Sequence, residues 1–188
     1  MRTMLVSAAM AVLTGFAAMA VDLVFVPKDE LSNVGFDWSK KENYINAATD
    51  PGEGDIVALP TAFTNKFTFG TSNWTFLSKL KAVHLGAGSE LTLEVANSGD
   101  KPELELPITA SYPNFDSNSS AVLKKTGTGE LYLSAFGNYV ENAYRDYYSN
   151  LKVMGGTLKL TQRCGVVNAT CQLYSLEIAE GATFYPVN

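Results

Sequence analysis

Few side chains in this sequence combine a reactive type with a spacing that chemistry could use. The one histidine, His84, sits in the alternating run Val83-His84-Leu85 with no nucleophile signature beside it, so triad chemistry lacks its other members. Period-two alternation places His84 in an outward slot, the one that Lys124, Lys152 and Glu177 fill in three further segments of the same pattern. Glu90 and Glu130 also fall at matching positions of two such segments. Stacked side by side, they would offer the acid and base of a polysaccharide lyase or glycoside hydrolase. Against that pair, a third segment carries Thr157 at the same position, and charged residues on an outward face are ordinary. No Gly-x-Ser-x-Gly, phosphate loop, dinucleotide fingerprint, zinc-ligand pairing or calcium-type cluster of aspartates is present. The expectation is a protein without catalytic residues, cofactor or metal.

Two other groups could make bonds or contacts. Cys164 and Cys171 are separated by Gly-Val-Val-Asn-Ala-Thr, with no histidine or acidic residue near to complete a metal site. In an oxidising compartment a disulfide is the first reading, closing a short loop for about 2.5 kcal/mol, and free thiols are the alternative. Tyr139, Tyr144, Arg145, Tyr147 and Tyr148 crowd residues 136–150, a stretch without clean periodicity that reads as a projecting loop. Exposed tyrosines stack on sugar faces and anchor protein partners, so these residues are the candidate contact site for surface glycans or other surface proteins; the alternative is that they fold back over the stack. N-glycosylation sequons at Asn73, Asn118 and Asn168 are expected by chance in a chain this rich in Asn, Ser and Thr.

The elements that must position these residues are strands. From Val83 onward a short alternating run, a glycine turn and a second alternating run recur four times. Aligned on Leu91, Leu131, Leu158 and Phe184, the copies are 40, 27 and 26 residues apart. Alternation sets Leu91, Leu93 and Val95 on one face and Glu90, Thr92 and Glu94 on the other. One unit cannot cover its own leucine face, so successive units must stack. The longer first step is read as holding an extra strand at residues 103–108, ended by Pro107, followed by a polar loop at 111–120. Residues 21–80 carry weaker patterns, with turn signals at Asp50-Pro51-Gly52 and Gly70-Thr71-Ser72-Asn73, and are expected to supply N-terminal strands and a cap. The fold class expected is all-β, a solenoid of a few rungs over residues 81–188, with a β-sandwich as the alternative.

The first 20 residues read as a secretory signal peptide: Arg2, an apolar stretch over 4–17, then Ala18-Met19-Ala20. The stretch falls short of a membrane span. Secretion to the extracellular space or cell surface follows, with no integral membrane segment in residues 21–188. The formal net charge of −5 becomes −6 once Arg2 is removed, which excludes nucleic acid as a ligand because no basic face can form. The end of the last repeat, Phe184-Tyr185-Pro186-Val187-Asn188, lacks a polar cap, and self-association through this edge is expected.

Residues 123–134, Leu-Lys-Lys-Thr-Gly-Thr-Gly-Glu-Leu-Tyr-Leu-Ser, followed by Leu-Lys-Val-Met-Gly-Gly-Thr-Leu-Lys-Leu at 151–160, resemble the autotransporter-associated β-strand repeat. Residues 175–184 resemble a Gly-Ala-Thr-Leu variant of its ending, and Trp38 with Pro51-Gly52-Glu53-Gly54-Asp55-Ile56-Val57 is similar to the segment that often opens such proteins. The resemblance covers residues 121–184 well and the chain before Lys81 thinly. It implies an exported, right-handed parallel β-helix without catalytic residues. Two departures stand out: the loop after Ser134 runs on to Asn150, and no alternating strands of a membrane barrel follow the last repeat.

Overall fold

The computed structural model describes residues 23–110, 120–136, 149–161 and 173–186. In chain order these form β1 (Val24–Phe25), β2 (Ile56–Leu59), β3 (Thr64–Thr68), α1 (Ser72–Leu77), β4 (Ala82–Leu85), β5 (Glu90–Glu94), β6 (Glu103–Ala110), β7 (Val122–Thr126), β8 (Glu130–Phe136), β9 (Ser149–Val153), β10 (Thr157–Thr161), β11 (Leu173–Ile178) and β12 (Thr183–Tyr185). Short 3-10 turns lie at Asp29–Leu31 and Lys41–Asn43.

The strands divide between two sheets, one ordered β1-β2-β4-β6-β8-β10-β12 and one ordered β11-β9-β7-β5-β3. Consecutive strands from β2 onward therefore alternate between sheets, and every pairing between them is parallel. That is a β-solenoid and not a sandwich of antiparallel sheets. One coil is a strand in each sheet, and coils stack in register every 25–32 residues, as in Leu91↔Leu123↔Leu151↔Leu176. Inward residues form columns: Phe25, Val57, Val83 and Ile108 in one sheet, and Leu91, Leu123 and Leu151 in the other, all buried. Each such side chain contributes roughly 1.5–3 kcal/mol on full burial, so the columns are the main source of stability.

The register corrects the phase of the repeats. Leu131, Leu158 and Phe184 do lie side by side in the seven-stranded sheet, but Leu91 belongs to the five-stranded sheet and pairs with Asn65 and Leu123. The reason is that a two-sheet coil has two corners, and the tight glycine corner changes sides. Gly86 and Gly88 turn the chain from β4 into β5, whereas Gly127 and Gly129 turn it from β7 back into β8. The 40-residue step thus spans one and a half coils, and residues 103–108 are an ordinary coil strand, not an extra one. Pro107 does not end it: β6 runs on to Ala110, and its register with β8 shifts between Glu105 and Ile108, an irregularity where a residue without an N–H does not interrupt the ladder.

The N-terminal end of the stack is covered. Phe36 stacks on Trp38 at 4.5 Å, Trp38 lies on Phe67 at 4.6 Å, and the Tyr44 hydroxyl donates to the Trp38 carbonyl at 2.6 Å. Along the outer edge of β3, the Asn33 N–H donates to the Thr64 carbonyl, the Thr64 N–H to Ser32 Oγ, and Asn65 Nδ2 to the Val34 carbonyl. α1 buries Trp74, Phe76 and Leu77 and is capped by Thr71, whose hydroxyl accepts the Trp74 N–H at 3.3 Å.

Gly127 has φ +79°, and a Cβ there would stand 2.6 Å from the Val95 carbonyl carbon of the coil below. Gly127→Ala is expected to destabilise the fold by at least about 2 kcal/mol. Gly99→Ala, with open space around it, is expected to stay within about 0.5 kcal/mol. Urea denaturation midpoints of the two variants check the contrast.

Candidate functional site

Outward positions of the two sheets carry ladders of opposite charge. On the five-stranded sheet Lys66 meets Glu94 at 3.1 Å, Lys124 meets Glu90 at 3.0 Å and Lys152 meets Glu177 at 2.9 Å. Parallel in-register stacking sets Lys66, Thr92, Lys124, Lys152 and Glu177 in one row, so each lysine reaches a carboxylate on its own or an adjacent row. Exposed pairs of this kind contribute at most about 1 kcal/mol each.

The seven-stranded sheet concentrates its charges around Glu130. Lys101 and Lys159 each reach a different oxygen of its carboxylate at 2.7 Å, and the Tyr132 hydroxyl donates to Oε2 at 3.2 Å. Lys159 Nζ also lies 4.8 Å from the ring centroid of Tyr132 and 5.5 Å from that of Tyr185, its register partners on the two flanking strands. Hydrogen bonds from Lys101 and then Lys159 pull the Glu130 carboxyl down to about 2, and the bond to Glu130 raises Lys159 in return. A general acid needs the opposite shift.

The acid–base pair considered for polysaccharide cleavage does not form. Glu90 pairs with Thr64 and Val122 in the five-stranded sheet, and Glu130 with Thr157 in the seven-stranded one. Because the glycine corner changes sides between the two segments, the carboxylates stand on different sheets. The same displacement removes His84 from the slot of Lys124, Lys152 and Glu177: it lies in the seven-stranded sheet between Ala58 and Thr109, where burial pushes its imidazole down. Among the described residues no group of three His, Cys, Asp or Glu could hold a metal ion, and no helix is long and apolar enough to cross a membrane. Cys164, Cys171, Tyr139, Tyr144, Arg145, Tyr147 and Tyr148 lie outside the described residues. Asn73 is held in the fold: its Nδ2 donates to the Phe36 carbonyl at 2.7 Å and its Oδ1 accepts the Trp38 N–H at 3.2 Å.

The least expected polar residue is Lys125, which fills an inward slot between Leu93 and Val153 and is 1% exposed. Its ammonium donates to the carbonyls of Gly127 and Gly129, each at 2.7 Å, and of Gly155 at 2.9 Å. It therefore ties two successive glycine corners together from inside. Burial pushes this ammonium down to about 8, against the pull of the three carbonyls. The signal was present in the sequence: strict alternation from Leu123 puts Lys124 outside and Lys125 inside.

Comparisons with protein families, curated proteins and solved structures return no match.

Lys125→Met keeps an unbranched side chain one atom shorter but removes its three donors, and a loss of about 3 kcal/mol is expected, read as a lower urea midpoint with an unchanged slope. A second expectation concerns acid. Glu130 has a depressed folded pKa, so its contribution is present above the ordinary carboxyl value and is lost as pH falls toward about 2. The midpoint should fall through that window in the native chain and fall less in Glu130→Gln.

Proposed function

We propose that the chain is an exported structural or adhesive protein of the cell surface or extracellular space, built from autotransporter-type β-strand repeats and without catalysis. The solenoid serves as a spacer and its loops meet surface glycans or other surface proteins. The observation that carries this reading is the placement of the long connections. The segments joining β6 to β7, β8 to β9 and β10 to β11 all pass from the seven-stranded to the five-stranded sheet, so their anchors stack along one edge of the solenoid. The return connections, from β7 to β8, β9 to β10 and β11 to β12, are tight glycine corners along the other edge. From β6 onward the tight corners thus share one edge and the longer connections are anchored along the other, whereas in the earlier coils the β3–β4 connection with α1 lies on the edge of the tight corners; in sequence, Tyr147, Tyr148, Cys164 and Cys171 fall within those longer connections. Loops on a rigid scaffold are where binding residues concentrate.

The lyase reading loses the pair on which it rested, since Glu90 is held by Lys124 and Glu130 by two lysines. Incubation of the purified chain with acidic polysaccharides is expected to give no cleavage, and glycan-array or cell-surface binding is expected to fall at least about tenfold in the Tyr147→Ala, Tyr148→Ala double variant. Turnover that disappears in Glu90→Gln or Glu130→Gln would overturn the proposal.

A further inference from the structure

Among the described residues Lys125 is the only charged side chain that is buried. Its seat is made of uncharged groups: Leu93 and Val153 flank it in the column, and Gly156 stands so near that a Cβ there would lie 2.7 Å from the ammonium. The titratable groups of the surrounding elements face away from it. Glu90 and Glu94 on β5, Lys124 on β7, Glu130 and Tyr132 on β8, Lys152 on β9 and Lys159 on β10 stand at outward positions and are paired there. Asp100, in the corner below, is bound by Asn97 Nδ2 at 3.0 Å on the surface. No carboxylate therefore compensates the ammonium, and burial alone pushes it down to about 8.

The three carbonyls around Lys125 are not equivalent. Gly129 accepts a second donor, the Thr157 N–H at 3.2 Å, whereas among the described residues no backbone N–H reaches the carbonyl of Gly127 or Gly155. A neutral amine keeps two N–H groups, and two is the number of carbonyls that depend on it. We propose that the joint between the β7–β8 corner and the β9–β10 corner is a proton-operated latch, in which charged Lys125 ties all three carbonyls and neutral Lys125 keeps Gly127 and Gly155 while leaving Gly129 to Thr157. The proton goes to solvent hydroxide, and the amine draws back from Gly129. Both corners stay tied, so the stack survives the loss of charge. The folded value lies below the ordinary lysine value of 10.5, so above about 8 the folded chain gives up a proton that the unfolded chain still holds. The stability that depends on Lys125 therefore rises with pH across that window and is lowest where the ammonium is charged.

The inference stands on the geometry of the corners and does not depend on the adhesive reading. In nitrogen NMR spectra of the full chain labelled at lysine, the Nζ signal slowest to exchange with solvent, that of Lys125, is expected to titrate near pH 8 while the others stay charged to about pH 10. Between about pH 7 and about pH 9.5 the folded-to-unfolded ratio from urea denaturation should gain at least about tenfold over that of Lys125→Met, whose column holds no titrating group. Hydrogen exchange, referred to the unstructured rate at each pH, should find the Thr157 amide no less protected at the higher pH. The Met154 amide, which donates to the Lys125 carbonyl at 2.9 Å, should keep its protection because the corners remain joined. Should Lys125→Met fail to fold, the spectra and the exchange of the native chain decide. A Lys125 signal that titrates with the other lysines, a stability ratio that does not rise against Lys125→Met, or a Thr157 or Met154 amide that loses protection would each overturn the proposal.

Discussion

In-register stacking of parallel strands is the constraint on which the rest of this structure depends. A coil cannot bury its own inward residues, so each inward position must be apolar, or internally satisfied, at the same height in the coil above and below. The columns Leu91, Leu123, Leu151 and Phe25, Val57, Val83, Ile108 meet that demand. The same stacking brings corner over corner, leaving no room for a Cβ at Gly127, Gly129 or Gly156. It also lines outward charges into rows, which is why lysines and glutamates meet across coils without any local motif.

Much of this was legible in the sequence, because period two and glycine turns are local signals. Leu131, Leu158 and Phe184 could be aligned by eye since three successive coils turn at the same corner. The phase of Leu91 could not: a glycine turn looks the same at either corner, and only pairing partners tell which sheet a strand enters. His84 and the Glu90–Glu130 pairing were misplaced for that one reason. Pro107 was read as a strand end from its missing N–H, and the shifted register that accommodates it depends on β8, a partner remote in sequence. Lys125 was legible by alternation but masked by its charge, which suggests solvent unless three carbonyls are known to wait inside. The covering of β3 by Ser32, Asn33 and Val34 also arises from contacts about thirty residues apart, beyond the reach of a local pattern.

The charged outer faces and the edge that anchors the longer connections are different parts of one coil. On the faces Glu90 meets Lys124 and Glu130 meets Lys101 and Lys159, whose hydrogen bonds hold the Glu130 carboxyl in its charged form, an arrangement suited to a solvated wall. Insertions at the edge do not disturb the columns, because the strand ends that anchor them remain in register, as Leu160 with Leu133 and Leu151 with Leu123 show.

Repetition has its own hazard, since coils with interchangeable leucine columns can mispair by a whole rung. Lys125 breaks that degeneracy. Displaced by one coil, the three corner carbonyls would face Leu93 or Val153, which offer no donor, and the ammonium would be buried away from its acceptors. A single misfit in an otherwise uniform column thus acts as an index mark, penalising slipped assemblies while leaving the aligned one intact.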